Sequence, residues 1–185
     1  VFDYALFSAL PNVNIYDAYD ERTMEDEIDL SLASDKLTII RYPKNNVKCD
    51  VCEEYAPDEN CADYTVWNIG ENTEKTIVTS GRLTARILSL IQRSEMSGIR
   101  LIGLKKVYPI PDGAVELMEE DIILIEENSQ SGGIGEKLAA KLKLRGMKNR
   151  LKIKAVDDTE IPHGTLDELY SLTGFDDDSL LDLIK

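Results

Sequence analysis

Apolar runs bounded by polar residues divide this chain, and the most informative one opens the stretch from Asp121 to Leu142, DIILIEENSQSGGIGEKLAAKL. Ile122, Ile123, Leu124 and Ile125 stand between acidic residues, a pattern that predicts a strand buried on both faces and therefore a parallel sheet. Asn128 to Gly133 break the run, and from Gly135 the apolar positions Leu138, Ala139, Leu142 and Leu144 recur at helical spacing. Strand, glycine loop and helix make half of a βαβ unit. A glycine loop opening a helix also presents backbone amides to an anion. Here Gly132, Gly133 and Gly135 are followed by Leu138, where a dinucleotide fingerprint would place a small residue. A glycine turn that lets the helix pack closely on its strand is preferred over a nucleotide site.

The N-terminal stretch carries a shorter pattern. Asp3 is placed to cap a helix with Tyr4, Leu6, Phe7 and Leu10 as its apolar face, ended by Pro11-Asn12. Val13, Ile15 and Tyr16 predict a short strand. Asp20 then reads as the N-cap of a helix carrying Met24, Glu27, Ile28 and Leu32. A second buried strand is expected over Leu37 to Ile40, ending in Arg41-Tyr42-Pro43-Lys44. Two strands and two helices bury too little surface to stand alone, so residues 1–44 read as the tail of a truncated domain. The start Val1-Phe2-Asp3, without a methionine and already helical in pattern, is what the interior of a larger protein would show.

Residues 45–63, NNVKCDVCEEYAPDENCAD, have no periodicity and read as an interdomain linker. They hold Cys49, Cys52 and Cys61, spaced C-x2-C-x8-C. A zinc site would need a fourth ligand, and the only histidine is the distant His163, so unligated thiols are the preferred reading. Regular alternation resumes with strands over Tyr64 to Ile69 and Thr76 to Thr79, a helix from Leu83 to Met96, and a strand over Ile99 to Leu104. A short helix follows from Pro109, Pro111 and Asp112 to Met118. Leu151 to Val156 supplies a further strand, and Leu166 to Leu172 and Asp178 to Ile184 supply closing helices. Residues 64–185 thus predict a complete α/β domain of ordinary size.

Composition narrows the function classes. The chain has 185 residues, 43% of them hydrophobic, and no apolar run long enough to cross a bilayer or to act as a targeting segment. A cytoplasmic protein without a membrane partner is expected. Its 21 Lys and Arg are scattered among 35 acidic residues for a net charge of −14, which argues against nucleic acid as a partner. Glu126 and Glu127 end the buried strand, but neighbours on a strand face opposite ways, so they do not form a paired acid and base. His163 stands without a nucleophile motif, and a packing or interface role is preferred to a catalytic one.

Several motifs in order carry a resemblance: Val1-Phe2-Asp3, Ile15 to Glu21, IIRYPK at 39–44, VTSGRLTARIL at 78–88, VYPIPD at 107–112, IEENSQSGGIGE at 125–136 and IPHG at 161–164. Together they resemble the C-terminal part of the 1-deoxy-D-xylulose-5-phosphate synthase family of the transketolase superfamily. The resemblance implies a partial pyrimidine-binding, transketolase-like domain over 1–44, a linker over 45–63, and a complete transketolase C-terminal domain with a mostly parallel sheet over 64–185.

It also implies an activity. Such enzymes condense pyruvate with glyceraldehyde 3-phosphate, losing carbon dioxide, with thiamine diphosphate as electron sink and Mg²⁺, and they supply isoprenoid and thiamine precursors. The cofactor and metal sites, and the activating glutamate, are expected upstream of Val1, so no catalytic, cofactor-binding or metal-binding residue is expected in this chain, which should be inactive alone and part of a homodimer. In the family the basic residue after Tyr-Pro is associated with the substrate phosphate. Here it is Lys44, where arginine is more usual, and a lysine loses the bidentate geometry. Arg41 is the second substrate-binding candidate. That both merely pair with acids at a strand end stays open. Alternatives are the C-terminal half of a split transketolase, a 2-oxoacid dehydrogenase β subunit, or a non-catalytic assembly module.

Overall fold

The structure, a computed structural model, describes residues 2–43, 51–157 and 160–185. The periodic segments form a short helix α1 (Asp3–Phe7), strand β1 (Val13–Asp17), helix α2 (Glu21–Leu32) and strand β2 (Leu37–Arg41). After α3 (Val51–Glu54) and β3 (Glu59–Asn60) come β4 (Tyr64–Ile69), β5 (Lys75–Ser80), α4 (Arg82–Arg93), β6 (Ile99–Leu104), β7 (Lys106–Tyr108) and α5 (Asp112–Glu116). The chain closes with β8 (Asp121–Ser129), α6 (Ile134–Leu144), β9 (Arg150–Val156), α7 (Leu166–Thr173) and α8 (Asp177–Ile184).

The main sheet has the order β3-β4-β6-β5-β8-β9. Strands β6, β5, β8 and β9 are parallel, and β4 runs antiparallel to both β3 and β6. The near-continuous apolar runs are explained by cover on both faces. Along β6, Ile99 and Leu101 enter one core while Ile102 and Leu104 enter the other, and β8 divides in the same way between Ile125 and the pair Ile122 and Leu124. One core lies under α4, α7 and α8; the other lies under α5 and α6. Full burial of each such side chain contributes about 1.5–3 kcal/mol.

A smaller sheet, β2-β1-β7, joins the N-terminal segment to the rest: β1 is parallel to β2 and antiparallel to β7. Tyr4 and Ile15, both fully buried, share a core with Val78, Leu124 and Ile134. The Tyr4 hydroxyl donates to the Val107 carbonyl at 3.2 Å.

Within the N-terminal segment, three details depart from the sequence expectation. Asp3 does not cap α1: Phe2 holds the N-cap position without a side-chain bond, and the Asp3 carboxylate is drawn instead to Arg41. Asp20 does cap α2, accepting from the Thr23 amide, but the face α2 turns inward carries Thr23 and Glu27, while Ile28 and Leu32 are exposed. The strand expected to be buried at Leu37 to Ile40 is only half-buried, because β2 is an edge with a single neighbour among the described residues and Leu37 stays exposed. The described part of the segment read as linker is docked on the sheet: β3 pairs with β4, and the Trp67 indole donates to the Tyr55 carbonyl at 2.8 Å. No helix among the described residues is long and apolar enough to cross a membrane.

Candidate functional site

Open α/β sheets gather their chemistry at the carboxyl ends of strands, and four such ends meet here. Asp17 ends β1, Arg41 ends β2, Ser80 ends β5 and Asn128 lies one residue from the end of β8. They line a cleft of about 580 Å³, with Tyr42 and Pro43 on one wall and Gly81, Arg82 and Glu127 on another.

Arg41 is the organising cation. Its Nε donates to Asp3 Oδ2 at 2.7 Å, Nη1 to Asp17 Oδ2 at 2.9 Å and Nη2 to Asn128 Oδ1 at 3.0 Å. Burial opposes its charge, but Asp17 and Asp3 outweigh burial and hold the guanidinium firmly protonated. Burial pushes the Asp17 carboxyl up from its usual range, against the pull of Arg41 and of the Ser80 hydroxyl, which donates at 2.7 Å. Gly81, at φ +56°, is needed beside it: a Cβ there would stand 2.8 Å from the Asp17 carboxylate.

The opposite wall is a second network. Arg82 donates from Nε and Nη2 to both oxygens of Glu127 at 2.8–3.0 Å, and the Tyr170 hydroxyl donates to the same carboxylate. Burial, then Glu127, pushes the Tyr170 hydroxyl up. Glu126 turns the other way. It is 1% exposed and accepts from the amides of Ile134 and Gly135, each at 2.8 Å, and from Asn128 at 3.0 Å. The two glutamates therefore serve separate networks, as strand alternation requires.

The amides that open α6 are thus already bonded to a carboxylate of the chain itself. Gly135 packs so closely that a Cβ would stand 2.7 Å from Ile153, and Gly133 is pressed against the Ser129 carbonyl. The glycine loop is a close-packing device. No group of three or more His, Cys, Asp or Glu side chains among the described residues is placed to hold a metal ion. Cys52 packs against one core and Cys61 against the other, on opposite faces of the sheet; Cys49 lies outside the described residues. His163 is exposed in the turn before α7. The described residues thus offer neither a diphosphate cradle at α6 nor a Mg²⁺ cluster.

Of the two substrate-binding candidates, Arg41 lines the cleft and Lys44 lies outside the described residues, directly after Pro43 on the cleft wall. Asp17, Ser80, Arg82, Glu127 and Asn128 were not singled out by sequence as members of one site. Their shared signal is position at or beside a strand's carboxyl end.

A three-layer α/β domain with a mostly parallel sheet and a polar cleft at its strand ends defines the class, and the transketolase C-terminal domain family matches residues 67–180. The chain belongs to that family. Among curated relatives, the 1-deoxy-D-xylulose-5-phosphate synthase of Shouchella clausii is 28% identical over 194 residues, covering 100% of this chain and 30% of that protein. That of Clostridium botulinum is 26% identical over 190 residues with the same coverage. The chain therefore spans about 30% of the length of the curated relatives it matches. Among solved structures, a split-gene transketolase described as an inactive β4 tetramer aligns with a TM-score of 0.78 at 20% identity, over 100% of this chain and 60% of that one. The transketolase of Campylobacter jejuni aligns at 0.69 and 11% identity, over 100% and 28%. Both show the shared fold.

Proposed function

We propose that the chain is the C-terminal part of a thiamine-diphosphate-dependent 1-deoxy-D-xylulose-5-phosphate synthase, a cytoplasmic transferase that condenses pyruvate with glyceraldehyde 3-phosphate and releases carbon dioxide for isoprenoid and thiamine precursor synthesis. Residues 1–44 are the end of its pyrimidine-binding domain, 45–63 the linker and 64–185 its C-terminal domain. The observation that carries this reading is similarity to curated synthases over the full chain. The cofactor supplies the electron sink; it and Mg²⁺ are held upstream of Val1. This chain supplies Arg41, which lines the cleft at the end of β2, and Lys44 as the residues that meet the substrate phosphate, and a contact surface for a homodimer. Alone it is inactive.

The assembly-module reading has support of its own: the structural neighbour described as an inactive tetramer, and the exposed apolar side chains Phe2, Leu6, Leu32 and Leu37. One experiment separates the readings. Calorimetry with thiamine diphosphate and Mg²⁺, with turnover of pyruvate and glyceraldehyde 3-phosphate, is run on this chain and on the longest polypeptide its source expresses. The synthase reading expects binding and turnover by the longer polypeptide and neither by this chain. Cofactor binding by this chain alone would overturn the upstream placement, and a longer polypeptide without turnover would leave the assembly module.

A further inference from the structure

The even scatter of basic residues has one exception. Positions 137–154 hold eight Lys and Arg and no Asp or Glu, in a chain whose net charge is −14. This segment runs from α6 through the turn into β9, the outermost strand of the main sheet, which pairs only with β8 among the described residues. The Arg150 amide donates to the Glu120 carbonyl and the Val156 carbonyl accepts from the Gln130 amide, so alternate residues from Arg150 to Val156 turn their backbone groups towards β8. The amides and carbonyls of Leu151 and Ile153 therefore point outward, and they have no hydrogen-bond partner among the described residues. The opposite edge of the sheet offers no comparable row, since β3 is two residues long and one of them is Glu59.

Side chains finish this edge differently on its two faces. Leu151 and Ile153, half-buried, pack with Met147 against the core under α5 and α6. Arg150, Lys152 and Lys154 alternate with them and stand on the other face. Arg150 is committed to Glu120 and Asp121 at 2.5–3.0 Å, and Lys154 donates to the Thr173 carbonyl at 2.6 Å with its ammonium 4.7 Å from the centre of the Phe175 ring. Lys152, like Lys143 on α6 and Lys148 in the turn between, is exposed and has no ionic or hydrogen-bonding partner among the described residues. Lysines on an edge strand ordinarily keep other strands away. That barrier is selective: a neutral or basic strand leaves these ammonium groups unanswered, whereas a strand bearing carboxylates answers them.

We infer that the outer edge of β9 is a docking surface for an extended acidic segment of a partner protein, one that alternates carboxylate with β-branched apolar side chains and adds to the sheet as a further strand. The alternation on β9 sets that of the partner: its carboxylates fall beside Lys152 and its apolar side chains beside Leu151 and Ile153. The row of outward amides and carbonyls favours a polypeptide over a polyphosphate chain, which would answer the lysines but leave the backbone groups and the two apolar side chains unused. The acidic remainder of the chain repels such a segment, which directs it to this edge.

The test is a calorimetric titration of this chain with an end-blocked peptide of alternating glutamate and valine, with backbone amides followed by NMR. Saturable binding is expected, weakening as salt is raised, with the Leu151 and Ile153 amides gaining protection from hydrogen exchange. The same peptide N-methylated at alternate amides cannot pair along an edge, and its lysine–valine counterpart carries the wrong charge; each should bind at least about tenfold more weakly. Lys152→Glu should lose a similar factor, whereas Lys36→Glu, just before β2 in the smaller sheet, should bind like the wild-type chain. Circular dichroism confirms that each variant is folded. Equal binding of the N-methylated peptide overturns the inference, as does protection that falls outside β9, or a wild-type chain that does not saturate. An oligothymidylate that displaces the glutamate–valine peptide at equal affinity also overturns it, reassigning the lysines to nucleic acid.

Discussion

The segment 2–43 and the part of the chain that holds the transketolase C-terminal domain match, residues 67–180, use the same alphabet of strands and helices but finish their surfaces differently. Among the described residues, Phe2, Leu6, Leu10, Ile28, Leu32, Leu37 and Tyr42 are large apolar side chains left exposed in the first segment; in the domain only Leu144 and Leu172 are. The first segment also buries a carboxyl group, Glu27, both of whose oxygens lack a hydrogen-bond partner among the described residues. The domain encloses its sheet with helices on both faces, whereas the segment leans on that sheet through Tyr4, Ile15 and β7 and leaves its outer face apolar. Helix and strand formation therefore needs only one covered face, and completion of a surface is a separate property.

The sharpest way to break the comparison is the residue that joins the two regions. Arg41→Met would leave the buried Asp17 carboxylate and Asn128 without their cation, a loss of about 3–5 kcal/mol, measured by chemical denaturation as one shifted transition. Two transitions instead would show that the regions unfold independently.

A paired substitution comes next. Leu101→Ala, at a fully buried position in β6, should lose about 2–5 kcal/mol, whereas Leu32→Ala, at a position 80% exposed, should stay within about 0.5 kcal/mol. Similar losses for both would mean that Leu32 is covered in solution.

Glu27 gives the most conditional effect, near zero at pH 5 and growing with pH. Burial, then Asp17, raises its carboxyl to about 9, with Lys105 acting the other way and Asp20 and Asp26 adding to the rise. The native chain keeps this proton while the unfolded chain releases it above the usual carboxylate range, so stability falls as pH climbs from there towards about 9. Glu27→Gln should track the wild-type chain near pH 5 and gain on it by up to about 1.4 kcal/mol per pH unit above that. Denaturation series at several pH values check it; a constant difference would mean that Glu27 is ionised and paired.

Much of the domain was legible because its strands are apolar runs that need cover on both faces, as Ile99 to Leu104 and Ile122 to Ile125 show. The cleft was not, since polar residues at strand ends carry no periodicity: Asp17, Ser80 and Asn128 are brought together only by sheet order. Arg41 stands out in the sequence as the basic residue three positions before Lys44, yet its bonds to Asp3, Asp17 and Asn128 depend on three separate elements. The apolar run at Leu37 to Ile40 reads as buried because a sequence records what a strand prefers to touch, and not whether a neighbour is there.

The contact between Glu126 and the first amides of α6 has a further consequence. A carboxylate carried on the adjoining strand is an intramolecular ligand whose effective concentration at those amides is set by the fold and cannot be diluted. A dissolved anion would have to displace a competitor that never leaves, and would then strand a buried charge. That end of the helix is closed to dissolved anions.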